Sequence, residues 1–528
     1  MPVIIQQIKA SLDCDKDSVI RKALIKIDLS FSEVSEASIY KTSLDARKQN
    51  DIHFVHSVIV TLRHPELEKK TCEKNACCSY IESNRLSPVI SKSKRNGEIV
   101  IAGFGPAGMF AGLVLAEYGY NPVIFEKGEA IEDRVKTVNE FWNGGELNTN
   151  SNVQFGEGGA GTFSDGKLTT RINDPLCRYI LEKFVEMGAP KEILSKAKPH
   201  IGTDNLRNVV KAIRKRIISL GGKINFNSEI DEFEITNNTL ISVSSNGNDI
   251  NCQALVLAIG HSARDTFVKL LDKGIFIENK PFSVGARIEH LQSDVDYSLY
   301  GKYTGNPLLP VGEYQLSHRE KNGRAVYTFC MCPGGFVVPA ASEENSIVTN
   351  GMSEFLRNQK NANSALVVSV SEKDFGNEPL AGLKFARKLE QKAFKMAGSN
   401  YSAPATDVGA FINDSRFSKN IIKPSYQHGI EKCNLNNLFP KEIADMMKVG
   451  IKQFSSQMRC FGDTSAMLTA PETRTSSPIR IRRNENFESI STKNLYPCGE
   501  GAGYAGGIMS AAVDGIRIAL KIMETYAP

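Results

Sequence analysis

The chain has no apolar run close to the roughly 20 residues that a membrane-spanning helix needs in its 528 residues. Its first ten residues, MPVIIQQIKA, lack the basic start and long apolar stretch of a signal peptide. The net charge of +5, from 64 basic and 59 acidic residues, is too small to indicate nucleic-acid binding. These absences lead us to expect a cytoplasmic protein that does not associate with membranes.

Cysteine is also sparse, with eleven residues at irregular spacing. An odd number of cysteines without an export signal favours reduced thiols over a disulfide framework. The tightest group, Cys72, Cys77 and Cys78, has neither paired CxxC elements nor a fourth ligand of the kind that zinc requires. The sequence therefore predicts no metal site.

What the sequence does have is glycine, 42 residues of it, and much of this glycine falls in three GxGxxG patterns. The first pattern, Gly103 to Gly108, follows a strand-like run and precedes the apolar segment 106–118. A tight turn, a close backbone approach to a pyrophosphate and close helix packing explain the three glycines. Glu126 closes the next strand-like run, where an acid can accept ribose hydroxyls. This context predicts a βαβ dinucleotide site.

The other two patterns begin at Gly156 and Gly501 and lack the strand and second acid of that context. Neither predicts a second dinucleotide fold, and flexible surface turns remain an alternative for each. As cofactor contacts they would extend the first site. The predicted cofactor residues are Gly103, Gly105, Pro106, Ala107, Gly108, Glu126, Lys127, Gly158, Gly159, Gly161, Thr162, Lys167, Ile230, Gly260, Gly499, Glu500, Gly506, Gly507 and Ile508.

A single nucleotide-binding half combined with a distant glycine loop and terminal helix favours FAD over NAD(P). The adenosine end of FAD would lie on the first motif, and later segments would reach the isoalloxazine. The last predicted helix, 508–525, would direct the positive end of its dipole at the ring, where reduced flavin is negative.

Longer motifs carry a family resemblance. The order GFGPAG, KINFNSE, LVLAIG and CGEGAGYAGG is similar to the glutathione-reductase-type FAD-binding fold. FGEGGAGTFSDGKL, FCMCPGGFVVPA, TNGMS and ETRTSSPIRI resemble a group of bacterial FAD-dependent dehydrogenases with a small N-terminal domain. The resemblance implies FAD and redox chemistry, and it leaves the substrate open. It further implies that Glu126 binds the ribose, that the backbone near Ile230 faces the adenine, and that Glu500 contacts the ribitol chain.

The candidate catalytic residues are less specific. They include Arg287, His290 and Arg474, and the arginines could bind a substrate carboxylate, although surface ion pairing is the favoured interpretation. Cys330 and Cys332 form a CxC pair. On a regular strand their Cβ atoms would stand about 7 Å apart, too far for a disulfide, so packing is the favoured interpretation and redox activity the alternative.

We expect an α/β protein in three parts. Residues 1–92 form an α+β, ferredoxin-like domain. Residues 96–275 and 455–528 form a Rossmann-like, three-layer FAD domain with a parallel sheet, and residues 276–454 form an inserted α+β cap. The expected function is an FAD-dependent dehydrogenase that exchanges a hydride with a small substrate, with carboxylates as candidates, or with transiently bound NAD(P)H. The alternative is a flavin-binding sensor or nucleic-acid-associated protein that uses the basic segment DARKQN, 45–50.

Overall fold

The computed structural model describes residues 2–80, 86–170, 172–418 and 421–528. The chain forms two compact units. The smaller unit contains residues 1–87, 167–201 and 296–312, and the larger one contains residues 88–166, 202–295 and 313–528. Within the described residues, no helix is both long and apolar enough to cross a membrane.

The smaller unit contains a four-stranded antiparallel sheet with helices alongside. Its strands, in spatial order, are Val34–Asp45, His53–Leu62, Val3–Ala10 and Cys78–Tyr80. Its helices are Lys16–Lys26, Glu68–Lys74 and Leu176–Glu186. The first helix begins where the Asp15 side chain accepts a hydrogen bond from the Ser18 amide, and its apolar face joins the valines and isoleucines of the sheet in one core. The chain order of the first six of these elements, up to residue 80, is βαββαβ.

The first sheet of the larger unit is mainly parallel. Its strands are Lys223–Asn225, Val123–Phe125, Glu98–Ala102, Asn248–Leu257, Thr239–Ser245 and Glu232–Thr236 in spatial order, with Leu495–Pro497 also beside Asn248–Leu257. Strand Asn248–Leu257 pairs with Thr239–Ser245 in antiparallel fashion and, at its other end, with two parallel neighbours. The predicted βαβ unit is confirmed, and its strands are buried on both faces, as central parallel strands usually are.

The second sheet of the larger unit is mainly antiparallel. Its strands, in spatial order, are Ser317–Arg319, Ala325–Cys332, Asn361–Val370, Phe282–Leu291, Met467–Glu472, Ala403–Asp407 and Ile430–Lys432. Two short antiparallel pairs also occur, Ile277–Asn279 with Ile479–Ile481 and Phe336–Pro339 with Thr349–Met352. This sheet includes Met467–Glu472, which lies beyond residue 454, the predicted end of the insertion.

Helices cover the sheets of the larger unit. They are Pro106–Glu117, Ile131–Trp142, Thr203–Ser219, Arg264–Asp272, Glu372–Phe375, Ala381–Met396, Val408–Asn413, Lys441–Ser455 and Ile508–Thr525, while Gln292–Tyr300 contains the boundary between the units. Pro106–Glu117 is apolar all round and buried from Ala107 to Ala116. It packs against Ile508–Thr525 so closely that a Cβ on Gly515 would lie 2.1 Å from the Ala107 carbonyl oxygen.

Candidate functional site

Four glycine segments meet where the parallel strands end. Gly103, Gly260 and Gly499 follow the carboxyl ends of three neighbouring strands, Glu98–Ala102, Asn248–Leu257 and Leu495–Pro497. Parallel strands place such ends at one edge of the sheet, where open α/β folds bind their ligands.

The fourth segment, Gly156 to Gly161, closes over the first. The Gly158 amide donates to the Phe104 carbonyl at 2.9 Å. A Cβ on Gly161 would lie 3.1 Å from a side-chain atom of Ile508, the first residue of the terminal helix. The structure thus brings together three glycine motifs that lie far apart in the sequence.

The glycines of the first motif differ in what surrounds them. Gly103 has φ +96°, and a Cβ on it would lie 2.4 Å from the Ala258 carbonyl oxygen, while one on Gly108 would lie 2.0 Å from that of Gly103. A Cβ on Gly105 would meet nothing closer than the Gly159 Cα at 3.7 Å. Two of these glycines are therefore required by packing, whereas Gly105 borders open space.

Three more glycines of these segments border open space, namely Gly260, Gly506 and Gly507, since a Cβ on any of them would meet no described atom within 4 Å. Among the described residues, no side chain caps helix Pro106–Glu117 or helix Ile508–Thr525, so the amides of both first turns are available to a ligand. Open backbone beside two uncapped helix N-termini is a cradle that fits a long anionic cofactor such as FAD.

Glu126 holds the glycine loops in place. Its carboxylate accepts hydrogen bonds from the amides of Phe104 at 2.8 Å, Gly128 at 3.0 Å and Gly156 at 2.9 Å, and the side chain is 5% exposed. A carboxylate has about four acceptor positions, so one position remains for a ribose hydroxyl. The predicted ribose contact stays a prediction, and the structure adds an organising role.

Arg134 was missed by sequence reasoning. It is fully buried and donates to the carbonyls of Asn152, Val153, Glu157 and Gly159, all in or next to the second glycine loop. Its position on helix Ile131–Trp142 was the available signal, because the buried residues of that helix otherwise form an apolar face: Ile131, Val138, Phe141 and Trp142. An arginine on such a face must find internal acceptors.

The predicted adenosine residues lie side by side. The Ser228 amide donates to the Glu126 carbonyl at 2.9 Å, which places the segment before Ile230 next to the predicted ribose acid. The Ile230 side chain is 4% exposed and packs in the core beneath. Desolvation opposes the charge of Lys127, but ion pairs with Asp265 and Glu229, both at 3.0 Å, raise its pKa overall.

Other predicted cofactor residues have separate surroundings. A Cβ on Gly499 would lie 2.8 Å from the Ala107 Cβ, and one on Gly161 would lie 4.0 Å from Pro106, so these residues line the junction of the loops. The Thr162 hydroxyl donates to the Glu157 carbonyl, within the second loop. The structure places Lys167 in the smaller unit, in an isolated antiparallel bridge with His200.

Glu500 and His261 form the polar part of the terminal loop. The Glu500 side chain is 27% exposed, and its Oε1 lies 3.5 Å from His261 Nε2. Loss of hydration raises the pKa of Glu500 to about 7, and Lys280 acts in the opposite direction. Burial, followed by the charges of Arg474 and Arg264, lowers the pKa of His261 to about 3. At neutral pH the imidazole is therefore neutral and Glu500 can hold a proton.

Arg474 belongs to a buried charge cluster that contains more arginines than carboxylates. It contacts Glu390 through Nε at 3.2 Å and Nη2 at 3.3 Å, while Arg264 holds the same carboxylate at 2.7 and 2.8 Å. Glu343 pairs with Arg264 and Arg387. Among the described residues Arg474 Nη1 has no hydrogen-bond partner, and the side chain is only 4% exposed. The sequence missed Glu390, which lies on a distant helix.

Arg287, by contrast, is saturated. Its Nε and Nη2 donate to the two oxygens of Glu472 at 3.0 Å each, and the remaining hydrogens reach the Cys330 carbonyl, Asn363 and Asn350 at 2.8–3.1 Å. The side chain is completely buried. All five donors are used inside the protein, which supports the ion-pairing interpretation of this arginine.

His290 lies on the same strand, Phe282–Leu291, and is also buried. Its ring packs against Phe461 at 4.7 Å between centroids, and its Nδ1 lies 3.4 Å from the Tyr314 hydroxyl. Burial lowers the pKa of His290 to about 4. A neutral imidazole among aromatic rings is typical of a core histidine, and the catalytic role of His290 stays a prediction.

Comparisons with known proteins identify the cofactor. A model of the family described as FAD-dependent protein, C-terminal domain-like, matches residues 281–475. An uncharacterized protein of Clostridium beijerinckii is 46% identical over 531 residues, covering 100% of this chain and 99% of its own. The cofactor is FAD, as predicted.

The similarity to solved structures is low. A geranylgeranyl bacteriochlorophyll reductase-like protein of Thermoplasma acidophilum is 11% identical, covers 82% of this chain and 80% of its own, and has a TM-score of 0.36. The glycerol-3-phosphate dehydrogenase of Bacillus halodurans, solved with FAD, is 11% identical, covers 83% of this chain and 66% of its own, and has a TM-score of 0.36. Neither assigns a substrate to this chain.

Proposed function

We propose a reaction for this chain, which belongs to the family of FAD-dependent proteins: transfer of a hydride between flavin N5 and a small carboxylate-bearing substrate. When bound, FAD supplies the hydride chemistry at its isoalloxazine ring. The protein binds the cofactor through Gly103 to Gly108, Glu126 and the two uncapped helix N-termini, and it orients the substrate with charged side chains.

One observation carries the substrate class. Arg474 is buried and Nη1 has no partner among the described residues, in a cluster where Arg264, Arg387 and Arg474 face only two carboxylates, Glu343 and Glu390. Burial and the charge of Arg264 lower the pKa of Arg474. An anion at Nη1 would offset the free-energy cost of burying the charged guanidinium of Arg474. Guanidinium groups bind carboxylates in well-defined geometry.

The arginine cluster is linked to the cofactor loops through His261. The His261 ring contacts the Arg474 backbone on one side and Glu500 on the other. Glu500 follows Gly499 in the terminal glycine loop, so a substrate at Arg474 would lie next to the predicted ribitol and ring end of FAD. Glu500 would hold or release a proton there near pH 7.

The test compares Arg474→Met with Arg387→Met. Both remove an arginine of the cluster, but Arg387 is 35% exposed at its rim. The flavin spectrum is titrated with acetate, benzoate and sulfite, and anaerobic bleaching is measured with carboxylate donors, NADH and NADPH. Loss of a charged hydrogen bond should weaken carboxylate binding about 10- to 100-fold in Arg474→Met, at full FAD content. Equal titrations in both variants and the wild type would contradict the anion site.

NAD(P)H remains the alternative donor within this proposal, since the predicted transient binding needs no second βαβ motif. Bleaching by a nicotinamide and by none of the carboxylates would assign that donor. The nucleic-acid alternative has less support, because Arg47, one of the two basic residues of the segment 45–50, pairs with Asp45 of the same segment.

The finer description of the fold belongs to the same proposal. We class the N-terminal segment as ferredoxin-like, on the βαββαβ order and the fully antiparallel sheet. We also retain residues 96–275 and 455–528 as the FAD domain and 276–454 as the cap, with strand Met467–Glu472 contributed to the sheet of the cap.

A further inference from the structure

The CxC pair does not lie on a regular strand. Strand Ala325–Cys332 pairs with Asn361–Val370, and the register shifts between Phe329 and Cys332. Cys330 has φ +43°, in the left-handed region that non-glycine residues rarely adopt. The regular strand on which the expected separation of about 7 Å depends is therefore interrupted at these two residues.

The bend brings the two cysteines into contact. The Cys332 thiol donates to the Cys330 carbonyl at 3.4 Å, and no disulfide joins the two residues. The Cys330 thiol also acts as a hydrogen-bond partner of the Cys332 thiol, and this contact, followed by burial, raises the pKa of Cys332. A backbone conformation that costs free energy persists only when its surroundings enforce it, and such positions are concentrated at functional sites.

Neighbouring side chains hold the backbone of Cys330 in its left-handed conformation. Arg287 donates to the Cys330 carbonyl at 2.8 Å and is itself held by both oxygens of Glu472. Cys330 is half-buried whereas Cys332 is fully buried, so Cys330 is the more exposed residue of the pair.

Hydrogen bonds connect this segment to the second glycine loop. The carbonyl of Pro333, the residue after Cys332, accepts from the Ser353 hydroxyl at 2.8 Å. The Ser353 carbonyl accepts from the Thr203 amide at 3.2 Å, and the Thr203 hydroxyl donates to the Thr162 carbonyl at 2.6 Å. The cysteine pair is thus three hydrogen bonds away from the predicted cofactor residue Thr162.

We propose that Cys330 and Cys332 form a redox-active pair that exchanges two electrons with the bound FAD. In the oxidising direction two S–H bonds break and one S–S bond forms, and the two electrons and two protons released convert FAD to FADH2. The reverse reaction returns both thiols. This inference requires bound FAD but is independent of Arg474 and of the hydride donor, so it can fail while the proposed function holds.

The first measurement is the state of the two sulfurs. Wild-type holoprotein is oxidised with ferricyanide, freed of reagent, alkylated under denaturing conditions and digested with trypsin. The tryptic segment 325–357 contains these two cysteines and no other. We expect this peptide to escape alkylation and to lose the mass of two hydrogen atoms after oxidation, and to take two alkyl groups after reduction. A peptide alkylated twice under both conditions would overturn the proposal.

The second measurement is the electron count. Anaerobic dithionite titration of the oxidised holoprotein should consume two electron pairs per FAD in the wild type and one in Cys330→Ser and Cys332→Ser. Cys433→Ser is the matched control, since Cys433 is also partly exposed and also donates to a carbonyl, that of Met396 at 3.4 Å. It should consume two pairs. A single pair in the wild type would also overturn the proposal, even if a serine variant failed to fold.

Discussion

The two seven-stranded sheets of the larger unit restrict the sequence in different ways. At the edge of the parallel sheet the constraint is on the backbone: Gly105, Gly260 and Gly506 border open space where no side chain intrudes. In the antiparallel sheet it is on side chains: Arg287 and Glu289 on strand Phe282–Leu291 are buried charges, each with internal partners.

This difference separates cofactor binding from the chemistry around it. Backbone amides and helix N-termini can hold a phosphate without any buried charge. Buried charged side chains need compensation, and where compensation is incomplete, as at Arg474 Nη1, a ligand can complete it. Substitutions at the two sheets should therefore fail in different ways.

The largest expected effect is the loss of FAD binding at the glycine loops beside the parallel sheet. Gly105→Val should fold and lose FAD entirely, because a side chain would occupy the pyrophosphate position, while its nearest protein atom is 3.7 Å from the new Cβ. The holoprotein stabilisation, about 4 kcal/mol when FAD is at 1,000 times its Kd, should vanish with it. Absorbance per protein and melting temperature measure both.

Gly462→Val is the control, since a Cβ there would meet its nearest atom at 3.8 Å at an exposed position. It should keep FAD. Gly108→Val should instead unfold, because its Cβ would clash with the Gly103 carbonyl oxygen. Normal FAD content in Gly105→Val would remove this loop from the cofactor site.

The next largest effect is on the free energy of unfolding, through the buried charges at the antiparallel sheet. Arg287→Met leaves Glu472 buried without its cation, and breaking such a pair costs about 3–5 kcal/mol. Arg474→Met leaves Glu390 paired with Arg264, so its cost should be smaller. Urea unfolding of the FAD-free proteins compares the two. A loss in Arg474→Met as large as that in Arg287→Met would show that the two arginines are equally structural.

The glycine loops could be predicted from the sequence, whereas the partners of the buried charged side chains could not. Glycine at 103, 105 and 108 is itself the signature of close approach, so the cofactor edge could be predicted from residue type and spacing. The partnership of Arg474 with Glu390 depends on a helix 84 residues away, which periodicity does not reveal. The bend at Cys330 violates the alternation that strand prediction assumes, and only the pairing register shows it.

A smaller effect concerns the pH dependence of stability caused by Glu500, a charged side chain in the terminal glycine loop. A pKa raised from 4.5 to about 7 corresponds to at most about 3 kcal/mol of destabilisation when the carboxyl ionises. This penalty is absent below pH 4.5 and complete above pH 7, so the FAD-free wild type loses stability across that window. Glu500→Gln should match the wild type at pH 4.5 and exceed it at pH 8 in urea unfolding.

The exposed Glu485→Gln serves as its control and should follow the wild type at both pH values. A constant difference between Glu500→Gln and the wild type from pH 4.5 to pH 8 would mean that Glu500 stays ionised throughout, and that it does not hold a proton beside the cofactor.

The smallest effect concerns the terminal helix, whose N-terminus we expect to face the flavin ring. Gly507 has φ +141°, so a side chain there would add strain, whereas Gly506 is unobstructed and outside that region. Gly506→Asp adds a negative charge that favours the helix itself but opposes the negative charge of reduced flavin. A dipole-scale interaction of 0.3–1 kcal/mol corresponds to a fall of about 6–20 mV in the two-electron midpoint potential.

Gly506→Asn adds nearly the same volume without the charge and should leave the potential unchanged. Equal potentials in both variants, at full FAD content, would show that this helix does not face the ring and would leave the backbone of the first glycine motif as the main determinant of cofactor binding.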